Sequence, residues 1–148
     1  MRVKIFKRLF FIVVILSQCI VPVYAADEVV VIVNKSNPVS ALTLDDVKEI
    51  YNGRMKSWSN NEPVTLFLPP EGGAPLQWLA EKVFSKNKVS AVNRFYLKSL
   101  YQQTITEMPL TSTDPVSDVK KTSGGVALVN AADVAGSREV KVIHIGMP

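Results

Sequence analysis

Residues 66–78 read LFLPPEGGAPLQW, an apolar strand end, two prolines, two glycines and the start of a helix. Pro69 and Pro70 stop the strand because proline has no N–H to give a ladder. Pro75 suits the first turn of the following helix, where its missing donor and fixed φ cost nothing. The spacing of Leu76, Leu79, Ala80, Val83 and Phe84 predicts an amphipathic helix behind it. A glycine-bearing strand-to-helix turn is also the shape in which backbone N–H groups and a helix dipole hold anions. Its surroundings argue for a plain turn. No Ser, Thr, Lys or Arg lies between Pro69 and Gln77, and Glu71 adds a negative charge.

Working outward, residues 64–68 (VTLFL) complete a strand, and residues 28–33 (EVVVIV) predict another that is buried on both faces. Between them, Thr43 is placed to cap a helix with Asp45 and Asp46 in its first turn. Leu44, Val47, Ile50 and Tyr51 share one face of it, and Asn52-Gly53 supplies a left-handed end. Further on, Ser90 is expected to cap a third helix with Val92, Phe95, Tyr96 and Leu100 inward and Arg94 and Lys98 outward. Residues 114–121 suggest a short fourth helix. Gly124-Gly125 turns into a strand over 126–129, and a loop with Asp133 and Gly136 leads to a last strand over 140–145. Strands alternating with helices predict an α/β fold with a mainly parallel, helix-covered sheet.

The N-terminus reads differently. Arg2, Lys4, Lys7 and Arg8 precede the apolar run LFFIVVIL at 9–16, and Val23-Tyr24-Ala25 places small residues where a signal peptidase cuts. This predicts a signal peptide over 1–25, a single domain over 26–148 and a periplasmic destination. The apolar run is short for a bilayer span. Gln18 before Cys19 fits a lipoprotein processing site poorly.

Of 17 basic and 13 acidic residues, four basic ones and no acidic ones fall in that leader, leaving 13 against 13. Such a balance gives no reason to expect nucleic acid or anionic lipid. Cys19 is the only cysteine, so the exported chain has no thiol or disulfide and relies on an ordinary core. His144 is the only histidine, which excludes a histidine-rich metal site. No nucleophile elbow or calcium loop is present. No catalytic constellation stands out, and neither an enzyme nor a cofactor is expected. Trp58 and Trp78 remain as candidate contacts for a partner protein, tryptophan being common at binding hot spots.

Taken together, Asn37-Pro38, Leu42-Thr43, Tyr51, Gly53, Arg54 and Trp58, followed by the strand, glycine loop and helix, resemble one lobe of the periplasmic phosphate-binding proteins of ABC transporters. The later stretch KKTSGGVALVNAADV is similar to that family's Pro-Gly-Ala-Ile-Gly-Tyr-Val segment. The resemblance covers roughly residues 29–134 and implies one lobe of a type II periplasmic binding protein. In the family, an arginine at the strand end and a Ser-Gly-Thr at the helix start hold phosphate. An ungapped match puts Pro69 at the first and Gly73, Ala74 and Pro75 at the second. Any anion contact implied here therefore runs through backbone at Glu71, Gly72, Gly73, Ala74 and Leu76. Two expectations follow: a solute-binding lobe for phosphate or another small anion, or a periplasmic adaptor or sensor with a periplasmic or membrane protein partner and no ligand.

Overall fold

The computed structural model describes residues 28–146, so the leader expected over 1–25 lies outside the described residues. Within them the chain forms seven strands and four α-helices. The first strand, β1 (Val29–Val33), is buried along its whole length. The alternation of a strand sends Val29, Val31 and Val33 into one core and Val30 and Ile32 into a second. A strand that feeds two cores must be apolar at every position, which is why the period of two is absent from its sequence.

The main sheet has the order β4-β3-β5-β1-β6, with β3 (Thr65–Leu68), β4 (Leu110–Thr111), β5 (Gly125–Asn130) and β6 (Lys141–Ile143). Strand β3 pairs parallel with both β4 and β5. Strand β1 runs antiparallel to β5 and to β6. Four of the five strands thus share one direction, and the sheet is mainly parallel with β1 reversed inside it. The last expected strand, 140–145, is divided: β6 stays in the main sheet beside β1, and β7 (Ile145–Gly146) leaves it to pair with β2 (Leu42–Thr43).

One face of the sheet is covered by α1 (Leu44–Tyr51), α2 (Ala74–Trp78) and α3 (Ser90–Tyr101). The other carries α4 (Pro115–Lys121) and a 3-10 turn, Ala131–Val134, through Val119, Ala131 and Val134. The helix beginning at Ala74 is α-helical for one turn and then widens to a π-helical turn, Leu79–Val83. Phe84 N–H closes on the Leu79 carbonyl and Lys86 N–H on that of Ala80. Helix α1 ends as its sequence suggests, with Gly53 at φ +72°. A Cβ there would also press on Ile105 at 2.7 Å.

Two details of α3 differ from expectation. Ser90 is its first helical residue, and the cap position, Val89, makes no side-chain hydrogen bond. Leu100 faces outward, because the inward stripe is set by Val92, Tyr96 and the buried Ser99. The Tyr96 hydroxyl donates to the Tyr51 carbonyl at 2.8 Å, tying α3 to α1. Burial pushes the Tyr96 and Tyr51 phenols up, so both stay neutral and structural.

Thr43 and Asp46 form a complete capping box at the start of α1. The Thr43 backbone N–H and its hydroxyl each donate to Asp46 at 2.8 Å, and they hold that carboxyl below its ordinary value of 3.8. A carboxyl depressed in the folded state stabilises the fold above its unfolded pKa, and that contribution disappears as pH falls through the folded value. Asp46→Asn is expected to cost about 1 kcal/mol at neutral pH. Its stability curve should converge with that of the parent as pH falls below 3.8. Urea unfolding at several pH values measures both; a pH-independent gap would deny Asp46 this role.

Candidate functional site

The carboxyl ends of β3, β4 and β5 point to the same edge of the sheet, because the three strands are parallel. In open α/β sheets that edge is where ligands bind. A cleft of about 530 Å³ opens there, within the size range of small-molecule sites. Pro70, Gly73 and Pro75 line it after β3, Thr113 and Asp114 after β4, with Asn130 at the end of β5 and Asp133 after it.

Two helix starts meet at this cleft. Helix α4 is closed by Asp114, whose carboxylate accepts from the Ser117 N–H at 3.1 Å. The helix that begins at Ala74 is open: Gly73, in extended backbone at its cap, has no side chain to offer. The first backbone bond of that helix runs from Gln77 N–H to the Gly73 carbonyl at 3.3 Å. The N–H groups of Ala74 and Leu76 therefore have no partner within the helix, and Pro75 contributes none. Glu71, Gly72 and Ala74 are exposed and Gly73 is partly so, while the Leu76 side chain is buried in the core. Gly72 sits at φ +80°, a conformation that glycine alone adopts at no steric cost.

The charge around this opening is negative. Asp114, Asp133 and Glu139 line the cleft, and no Lys or Arg is among its lining residues. Part of that charge is already used. Lys120 pairs with Glu139 and holds its carboxyl below the usual range. Asp133 accepts from the Asn130 amide at 3.1 Å. The sequence places Asp114 at a helix start and Asp133 in a loop, but their shared cleft follows only from parallel pairing. What could have marked them is position: each stands a few residues after a strand that ends at this edge.

The two tryptophans differ in exposure. Trp58 is corrected as a surface contact: it is only 5% exposed, and its indole N–H donates to the Gly124 carbonyl at 3.0 Å. The loop around it folds inward through Trp58 N–H to Glu62 O and a bridge from Ser57 to Pro63. Trp78 is half-buried against the helix-side core, with Gln77 outside it.

His144 lies at the far end of β6, half-exposed, with Nδ1 3.0 Å from Glu28. Asp45 pairs with Lys48 and Asp46 caps α1. Among the described residues no group of three or more His, Cys, Asp and Glu is arranged to hold a metal ion. No helix of the described residues is long and apolar enough to cross a membrane.

The class these features define is an α/β domain with helices on both faces of a mainly parallel sheet and a cleft at its carboxyl edge. Residues 21–147 match the family described as PBP superfamily domain, and the chain belongs to it. Comparison with curated protein sequences gives no match. Among solved structures, an ABC-type phosphate transport receptor from Vibrio cholerae aligns over 81% of this chain and 46% of its own, at 17% identity and TM-score 0.51. PstS from Borrelia burgdorferi aligns over 80% and 47%, at 10% identity and TM-score 0.57. A candidate phosphate binding protein from Planctomyces limnophilus aligns over 81% and 42%, at 14% and 0.57. At these identities the likeness is one of fold. The chain spans less than half the length of each of these structures.

Proposed function

We propose that this chain is an exported, periplasmic solute-binding lobe of the phosphate-transport type. It presents a small oxyanion, phosphate first, with the backbone at Glu71, Gly72, Gly73, Ala74 and Leu76. The observation that carries this reading is the uncapped helix start after Gly73, set at the carboxyl edge of parallel strands. The positive end of the helix and its unpaired N–H groups favour an anion there. The resemblance of the fold to phosphate receptors supports the same class of solute.

With Pro69 at the strand end and no hydroxyl at 73–75, the loop supplies no side-chain ligand, so binding is expected to be weak. Calorimetric titration with phosphate, and with sulfate as a control, should give saturable binding with a Kd on the order of 0.1–1 mM. Gly73→Asp, which puts a carboxylate at the helix start, should weaken it by about tenfold or more. No heat up to about 10 mM phosphate would remove the anion reading.

A second reading is favoured by the carboxylates of Asp114, Asp133 and Glu139 around the cleft. They repel an anion, and they suit a lobe that acts as an adaptor or sensor for a periplasmic or membrane protein. Trp78, half-exposed on the helix that starts at the cleft, is then a further contact for the partner. This reading predicts a phosphate titration without heat and a folding stability indifferent to phosphate.

A further inference from the structure

The balance of charge over the exported chain conceals a strong segregation. Residues 82–106 carry five basic residues and no acidic one. From residue 26 onward, everything outside that segment holds eight basic residues against 13 acidic ones. A net charge summed over the chain misses this, because a partner surface within about 10 Å feels the local face and is screened from the rest.

All five cations are exposed: Arg94 and Lys98 on α3, Lys86 and Lys88 in the segment leading into it, and Lys82 in the π-helical turn before that. Beside them on α3 stand three apolar side chains that the fold leaves out. Leu97 is 59% exposed, Leu100 37% and Tyr101 90%. Their spacing of three and four residues puts them on one face, next to Arg94 and Lys98. Solvated apolar residues grouped among cations are a poor outcome for a surface that meets only water.

We propose that the outer face of α3, with the basic segment leading into it, docks onto an anionic phospholipid bilayer. The charge is complementary to acidic headgroups, each nearby Lys or Arg adding attraction. Leu97, Leu100 and Tyr101 stand exposed on one helix, and none of them lines the cleft at the carboxyl edge. A protein hot spot is built on well-packed pockets. An interfacial helix needs only protruding apolar groups with cations at the headgroup level, the tyrosine ring sitting at the boundary. The surface shares no residue with 70–76, so it stands whether or not that loop takes an anion.

The test is co-sedimentation with phosphatidylcholine vesicles, with and without phosphatidylglycerol, using the full chain. The deciding comparisons are between variants of that chain, in which any contribution of its N-terminal segment is common to all. Binding is expected to require phosphatidylglycerol. It should fall by about tenfold or more in Arg94→Gln/Lys98→Gln. It should fall similarly in Leu97→Gln/Tyr101→Gln, and in about 0.5 M salt. These side chains are exposed, so circular dichroism should be unchanged. Binding that ignores the headgroup charge, or that neither double variant reduces, would overturn the proposal. So would absence of vesicle binding together with a concentration-dependent dimer lost in the same variants; the basic face would then belong to the acidic side of a second copy.

Discussion

Gly124→Ala is expected to destabilise the domain by about 3 kcal/mol or more, beyond the ordinary cost of overpacking. Gly124 is buried immediately before β5, and a Cβ built on it would stand 1.9 Å from the Pro63 carbonyl oxygen and 3.1 Å from its carbon. The obstacle is backbone, so no side-chain rotation relieves it. The same carbonyl of Gly124 accepts from Thr65 N–H and from the Trp58 indole, each at 3.0 Å. Moving residue 124 away from Pro63 stretches both bonds and pulls β5 from the start of β3. Thermal unfolding should show a midpoint lower by about 10 °C or more. A midpoint within about 2 °C of the parent would mean that the 57–63 loop yields easily and that this contact is unimportant.

Trp58→Ala is expected to cost about 3–5 kcal/mol, the range for deleting a large aromatic side chain from a core. Trp58 both fills the helix-side core and anchors its loop to Gly124. Trp58→Phe separates the two roles. It keeps most of the apolar area and leaves the Gly124 carbonyl with Thr65 alone, at a cost of about 1 kcal/mol for the lost hydrogen bond plus a smaller cavity term. Denaturant unfolding of both variants measures the split. Equal losses in Ala and Phe would assign the whole effect to the hydrogen bond. The Gly124→Ala and Trp58→Ala losses should add to less than their sum, because both displace one loop from one strand.

These two residues also show how the pattern Tyr51, Gly53, Arg54, Trp58 contributes to the fold. Tyr51 receives the Tyr96 hydroxyl on its carbonyl, and Gly53 makes the left-handed exit from α1. Arg54 pairs with Glu49 at 2.9 Å, and Trp58 locks the loop onto β5. The pattern that carries the resemblance is therefore a structural clasp. The resemblance puts its expected ligand positions instead at residues 69–76, where this chain has the turn and none of the Arg, Ser or Thr side chains.

Local signals fared well wherever the cause was local. The Thr43 cap, the Gly53 exit and the stop at Pro69-Pro70 each depend on a few neighbouring residues, and each stands where its sequence predicts. Ser90 failed as a cap because serine marks a helix start only when its backbone is extended. Here the preceding Val89 is already helical, at φ −56° and ψ −37°. Leu100 failed because an apolar residue one step off the buried stripe looks the same in sequence as one on it. Trp58 failed as a surface contact for a related reason: its partner, Gly124, is 66 residues away.

By itself, the sequence determined that residues 29–33 are a doubly buried strand, that helices and strands alternate, and that the glycine turn has a helix start without side-chain ligands. These are properties of periodicity and residue type, and they survive any arrangement of the elements. The tertiary structure decided the rest: that β1 runs against its neighbours, and that Asp114, Asp133 and Glu139 gather around the open helix start. It also decided that a basic α3 keeps Leu97, Leu100 and Tyr101 in water. Each of these depends on which strands pair and in which direction. That choice is made by packing between segments distant in sequence, and no local pattern encodes it.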